Sequence, residues 1–173
     1  MPPSPTTIKS SSTERSRKNP KTADGPKVIE FNSRFGDPET QSYMRLLESD
    51  LVDIMLACVD DNLASQEIKW SNQTAACVVL ASGGYPGDYE KGKMIDGLNH
   101  INDSEVVIFH AGTKLDDNKK VLTNGGRVLN VTAVGDNLEL ALQKAYQAVK
   151  TISFEGMQYR GDIGVKALKN LAK

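Results

Sequence analysis

The order of apolar and polar positions divides the chain into segments of different period. After the turn Asp24-Gly25-Pro26, the stretch from Lys27 to Phe31 alternates and carries β-branched residues, so the first ordered element is expected to be a strand. From Pro38 the period lengthens. Leu47, Leu51, Ile54, Met55, Cys58 and Val59 recur at three- and four-residue spacing to about Leu63, which predicts a helix whose apolar stripe joins the core. Glu67 to Trp70, Thr74 to Ala81 and Glu105 to Ala111 read as strands, with a Gly- and Pro-rich loop from Ser82 to Gly92. Lys119 to Leu122 and Val128 to Val134 read as two strands joined in an antiparallel hairpin across Asn124-Gly125. Asp136 and Glu139 make a variant capping box for a helix that presents Leu138, Ala141, Leu142, Ala145, Val149 and Ile152 on one face and ends near Ser153. A short stretch around Met157 to Tyr159 and a helix from Asp162 to Leu171 follow. No internal repeat is detected, and the class is α+β with strands dominating the middle.

Composition sharpens this in three places. With 39% hydrophobic and 25% charged residues in 173, the chain has material for one ordinary domain or two small ones. No apolar run is long enough to span a membrane and none follows the start as a secretory signal, so a soluble cytoplasmic protein without a membrane partner is expected. Cys58 and Cys77 stand alone in apolar segments without C-x-x-C spacing and are expected to be buried free thiols. The net charge of −1 hides an asymmetry: Lys9, Arg15, Arg17, Lys18 and Lys21 against Glu14 give residues 1–21 a charge of +4, leaving −5 for the rest. That Ser-, Thr- and Pro-rich tail lacks apolar bulk and is expected to be disordered. It reads as a solvated extension, with a nucleic-acid arm or a transit segment as the functional alternatives; the acidic body argues against nucleic acid as the main partner.

Candidate chemistry gathers around the first strand. Side chains alternate across a strand, so Glu30 and Asn32 project to one face while Ile29 and Phe31 take the other. A carboxylate and a neutral amide oxygen suit Mg²⁺ beside nucleotide phosphates, although the same pair also fits a plain solvent-facing edge. Arg34 continues the alternation and could stabilise charge on a transferred phosphoryl group. Gly36-Asp37-Pro38 forces a turn, with Pro38 suited to the first turn of a helix and Asp37 open either to chemistry or to capping. Gly87 to Met94 nearly spells a phosphate-binding loop, but Met94 stands where a hydroxyl is needed. His100 and His110 lack a third metal ligand or a nucleophile to activate and read as surface or structural residues, as do Tyr159, Arg160 and Asp162.

The spelling Arg34-Phe35-Gly36-Asp37-Pro38-Glu39-Thr40-Gln41 resembles the signature of the phosphoribosylamine-glycine ligase family, also called glycinamide ribonucleotide synthetases. The resemblance continues through Ala81-Ser82-Gly83-Gly84-Tyr85-Pro86-Gly87, Phe109-His110-Ala111-Gly112-Thr113, Thr123-Asn124-Gly125-Gly126-Arg127-Val128 and Tyr159-Arg160-Gly161-Asp162-Ile163-Gly164. It covers about residues 22 to 173. It implies an ATP-grasp enzyme of purine biosynthesis that joins glycine to 5-phosphoribosylamine at the expense of ATP, assisted by two Mg²⁺ or Mn²⁺ ions. By that resemblance Glu30 and Asn32 are metal ligands, and Arg34 and Asp37 are catalytic beside a glycyl phosphate. Gly36, Ser82, Gly84 and Arg127 are substrate-binding by the same resemblance. Arg127 falls where related enzymes hold a ribose phosphate, with a surface hairpin arginine as the alternative reading.

The resemblance also implies an organisation: a basic tail over 1–21, the end of an ATP-grasp domain over 22–72, and over 73–173 a small, mainly antiparallel domain of the rudimentary single hybrid motif type. Such an enzyme places a glycine-rich flap, an adenine pocket and an N-terminal substrate domain upstream, and none of these is spelled here. The expectation is a C-terminal fragment, inactive unless a separate chain supplies the rest, with exposed apolar surface where neighbours would pack. A noncatalytic binding or assembly module derived from the ligase is the alternative.

Overall fold

Nine residues, Arg127 to Gly135, form the central strand of the molecule, β5, and eight of them are buried. The computed structural model describes residues 32–171. The chain divides into two compact units, residues 1–36 and 37–173. In the first unit the expected strand from Lys27 to Phe31, with Glu30, lies outside the described residues, as does the basic tail. Asn32 to Gly36 follow as irregular chain.

In the second unit the elements are α1 (Glu39–Leu46), α2 (Leu51–Val59), β1 (Thr74–Ala81), β2 (Val106–His110), β3 (Thr113–Leu115), β4 (Val121–Thr123), β5 (Arg127–Gly135), α3 (Leu138–Val149) and α4 (Val165–Leu171). The sheet β1-β5-β2 is antiparallel throughout. Leu129, Val131 and Ala133 point from one face of β5 into a core with Val78 and Leu80 of β1 and Ala145, Ala148 and Val149 of α3. Each such aliphatic side chain removed from water contributes roughly 1.5–3 kcal/mol. This face of α3 is the one the periodicity predicts, and Ile152 just beyond the helix is buried with it. The helix stops three positions before that residue, and its N-cap is Asn137, whose Oδ1 accepts from Leu140 N at 3.0 Å, in place of Asp136.

Four expectations change. The helix after Pro38 is two helices. Leu47 turns extended and bridges Trp70, and Asp50 caps a new start by accepting from Val52 N at 2.7 Å. A capping side chain inside an apolar period is invisible to periodicity alone. The stripe predicted as core is only half covered: Leu47, Leu51 and Ile54 are half-buried, whereas Met55 and Val59 are exposed, Val59 to 81%, and Cys58 is an exposed thiol instead of a buried one. Glu67 to Trp70 forms no strand and contributes only the bridge at Trp70, held by Glu48 N to Lys69 O and Ser71 N to Leu46 O.

The fourth correction concerns Asn124-Gly125. The strands on either side exist, but they belong to different sheets: β5 lies in the main sheet while β4 pairs with β3. Asn124 N donates to Gly112 O and Gly112 N to Arg127 O, so the segment crosses between the sheets instead of turning back. A Cβ on Gly112 would lie 2.6 Å from Gly125 Cα, which explains two glycines at the crossing. The hairpin is β3–β4, closed by Asp116, whose Oδ1 accepts from Asn118 N at 2.9 Å and Lys120 N at 2.7 Å.

Candidate functional site

The other face of the sheet is polar where a core face would be apolar. Cys77 of β1 sits opposite Thr132 of β5, and Asn130 opposite Val79; α1 lies against β1 and β5 on this side. Asn130 and Thr132 are fully buried, and among the described residues the Asn130 amide and the Thr132 hydroxyl have no partner; Gln41 Oε1 and Arg45 Nε of α1 are likewise buried without one. Burial pushes the Cys77 thiol up. The Thr132 hydroxyl beside it offsets part of that rise, though too loosely placed to be satisfied by it, and the Asp37 carboxylate adds to it.

Asp37 stands at the edge of this layer. Arg127 Nη2 lies 3.1 Å from Asp37 Oδ2, Arg127 Nη1 donates to the Asp37 carbonyl at 3.1 Å, and Gln41 Nε2 donates to Asp37 Oδ1 at 3.2 Å. The carboxylate therefore does not cap α1, whose N-cap is Pro38 without a side-chain bond. Arg127 opens β5 at a bulge, where the register with β1 shifts between Leu80 and Ala81, and it is no hairpin residue.

Arg127 also lines a cleft of about 530 Å³ together with Pro38, Val79, Ala81, Tyr85, Pro86, Gln158, Tyr159 and Arg160. The walls are tied down. Gln158 exchanges two backbone bonds with Ala81, at 2.8 and 2.9 Å, and its Nε2 donates to Tyr85 O at 2.8 Å. Ser82 is buried, its Oγ donating to Gly125 O at 2.8 Å and its amide to Gly126 O, so its hydroxyl proton pins the loop and is not offered to a ligand. Gly84 has φ +95° and a Cβ there would meet Asp88 O at 2.1 Å, which only glycine allows.

Of the predicted residues, then, the fold brings Asp37 and Arg127 into contact and sets the Ser82–Gly84 loop at the same cleft through Tyr85. Arg34, Gly36 and Asn32 belong to the first unit: Arg34 is exposed with Nη1 donating to Phe35 O at 3.0 Å, and Asn32 is exposed. Glu30 lies outside the described residues, and among the described residues no three His, Cys, Asp or Glu side chains gather as a metal site. Arg160, which reads as structural in the sequence, lines the cleft together with Gln158, for which the sequence carries no chemical signal. The only advance signal for Gln41 is its position four residues after Asp37 on a helix.

The family described as phosphoribosylglycinamide synthetase, C domain, matches residues 75–166, more than half of the chain. The chain belongs to that family. Among relatives of the synthetase, phosphoribosylamine–glycine ligase of Synechocystis is 52% identical over 143 residues, covering 82% of this chain and 34% of the relative. A bifunctional purine biosynthetic protein of Dictyostelium discoideum is 51% identical over 147 residues, covering 84% of this chain and 18% of its own. The crystal structure of phosphoribosylamine–glycine ligase from Thermotoga maritima superposes with a TM-score of 0.62 at 35% identity, over 83% of this chain and 34% of that one. The chain thus spans about a third or less of the length of the relatives it matches, and its α+β class agrees with the synthetase fold over the shared region. Among the described residues no helix is long and apolar enough to cross a membrane.

Proposed function

We propose that the chain is the C-terminal part of a phosphoribosylamine–glycine ligase of de novo purine biosynthesis. The observation that carries this reading is the ion pair Asp37–Arg127, which joins the signature Arg34 to Gln41 to the separately recognised motif Thr123 to Val128. In the complete reaction ATP phosphorylates the glycine carboxylate, and the amine of 5-phosphoribosylamine attacks the acyl phosphate to give glycinamide ribonucleotide, ADP and phosphate. Arg127 holds the ribosyl phosphate, the Ser82–Gly87 loop covers the sugar, and Arg34 and Asp37 act beside the glycyl phosphate, with Gly36 allowing close approach of the backbone.

Glu30 and Asn32 would hold Mg²⁺ or Mn²⁺. The exposed amide of Asn32 offers the hard oxygen such ions take, and the ions, when bound, neutralise phosphate charge. Residues 22–72 form the end of the ATP-grasp domain and 73–173 the C-terminal domain; the basic segment 1–21 lies outside the described residues. The protein works in the cytoplasm.

The test is reconstitution: this chain is co-expressed with the upstream two thirds of the Synechocystis ligase and glycinamide ribonucleotide formation is followed. Turnover with both parts and none with either alone is expected; two folded parts that associate without turnover would contradict the ligase reading. The exposed apolar residues of α2, Val52, Met55, Leu56 and Val59, favour a second reading, a noncatalytic module that binds through this face. That reading gains if association persists while no pairing restores turnover.

A further inference from the structure

We infer that a second cavity, beside the β3–β4 turn, binds a phosphate monoester with an apolar body, and that Lys119 and Lys120 are its anion contacts. The inference does not rest on the ligase reading. The cavity holds about 540 Å³ and shares no lining residue with the Arg127 cleft; small-ligand sites run from roughly 300 to 1,000 Å³. Lys119, Lys120 and His100 line it with Met94, Leu98 and Val121, and Asp96 is the one carboxylate in its lining.

The backbone around this cavity is held in place. Ile95 N donates to Val121 O at 2.9 Å, and Asp96 and Ser153 exchange two backbone bonds at 2.9 and 3.2 Å. Gly97 takes φ +88°, where a Cβ would fall 1.8 Å from Thr151 O. Walls fixed in this way reduce the ordering cost of binding.

Lys119 is strained. Its φ is +60°, in the left-handed region where a side chain costs energy and glycine sits freely. The turn imposes that conformation: Lys119 N donates to Asp116 O at 3.0 Å, Asp116 N to Lys120 O at 2.9 Å, and Lys120 N to Asp116 Oδ1 at 2.7 Å. Closing β3 onto β4 asks only for a residue that tolerates this region, as Gly or Asn does. A lysine there keeps the strain and puts two cations in consecutive positions, both exposed and, among the described residues, neither paired with a carboxylate. A dianionic phosphate would offset the repulsion between them and accept a charge-assisted hydrogen bond from each. Met94, Leu98 and Val121 offer apolar surface to the rest of such a molecule, which inorganic phosphate leaves unused.

Titration of phenyl phosphate into the whole isotope-labelled chain, followed by amide chemical shifts, tests this, with phenol and inorganic phosphate as controls. Saturable shifts at Gly97 to His100 and Lys119 to Val121 are expected with phenyl phosphate, at lower concentration than with inorganic phosphate, and none with phenol. Lys119→Gly should weaken binding about tenfold, the loss of one charged hydrogen bond, while raising the urea midpoint through release of the left-handed strain. Lys120→Gln should weaken binding to a similar degree, and Lys119→Arg, which keeps the charge, should bind nearly as well as wild type. Absence of saturable shifts at this cavity in the wild type would overturn the inference. So would a Lys119→Gly or Lys120→Gln variant that binds normally, a Lys119→Gly variant less stable than wild type, or a Lys119→Arg variant as weak as Lys119→Gly.

Discussion

Arg127 at the first position of β5 grips Asp37, 90 positions earlier, through both its carboxylate and its carbonyl oxygen. The side chains are 41% and 37% exposed, so solvent screens the pair and its contribution to stability is small, about 0.2–1 kcal/mol. Its consequence is positional. Asp37→Ala should lower the urea midpoint only slightly but weaken ribose 5-phosphate binding severalfold by releasing the Arg127 guanidinium; unchanged binding would show that Arg127 needs no holder.

Among the described residues, Asn130 and Thr132 have polar groups without partners in a fully buried layer facing α1, where Gln41 and Arg45 add two more such atoms. Native proteins satisfy such groups, so ordered water is expected between α1 and the sheet. Asn130→Leu, close to isosteric, should then cost about 1–3 kcal/mol in urea denaturation by stranding that water and its partners. A variant as stable as wild type would mean the layer is dry.

Gly126 lies against the ring of Tyr85, and a Cβ there would fall 2.2 Å from Tyr85 Cδ2. The ring must move to make room. Gly126→Ala should leave the fold intact by circular dichroism while weakening ribose 5-phosphate binding at the cleft that Tyr85 lines. A crystal structure of the variant with Tyr85 in place would refute this.

The two thiols should react at different rates. Cys58 is exposed, whereas burial raises the Cys77 pKa above its ordinary value and leaves less thiolate at any pH below it. Iodoacetamide at pH 8 should label Cys58 first, with Cys77 following only slowly or on unfolding, as read by mass spectrometry of the digest. Equal rates would contradict the placement of Cys77 beneath α1.

In the reconstituted ligase, Glu30→Ala should abolish turnover and raise the Mg²⁺ or Mn²⁺ concentration needed for any residual activity, and Asn32→Ala should do the same more mildly, having lost a neutral ligand. Wild-type turnover in Glu30→Ala would remove the metal assignment.

Local order is written in the sequence wherever one residue type decides it. The apolar face of α3, the strand Thr74–Ala81 to the residue, and the Gly-rich loop after it follow from period and turn chemistry alone, and the run Arg34 to Gln41 carries the family. Pairing is different. Asn124-Gly125 permits a tight turn but does not say which strand lies alongside, and the contact of Gly112 with Gly125 sends β4 to β3 instead of β5. In the same way the stripe from Leu51 to Val59 specifies a face that prefers to be covered, not the element that covers it. Asp37 and Arg127 were both legible as candidates, each with a bland alternative. Only the tertiary fold, by bringing the start of α1 to the first residue of β5, made them one site and added Gln41, Gln158 and Arg160, because distance in space is set by packing and has no local signal in the chain.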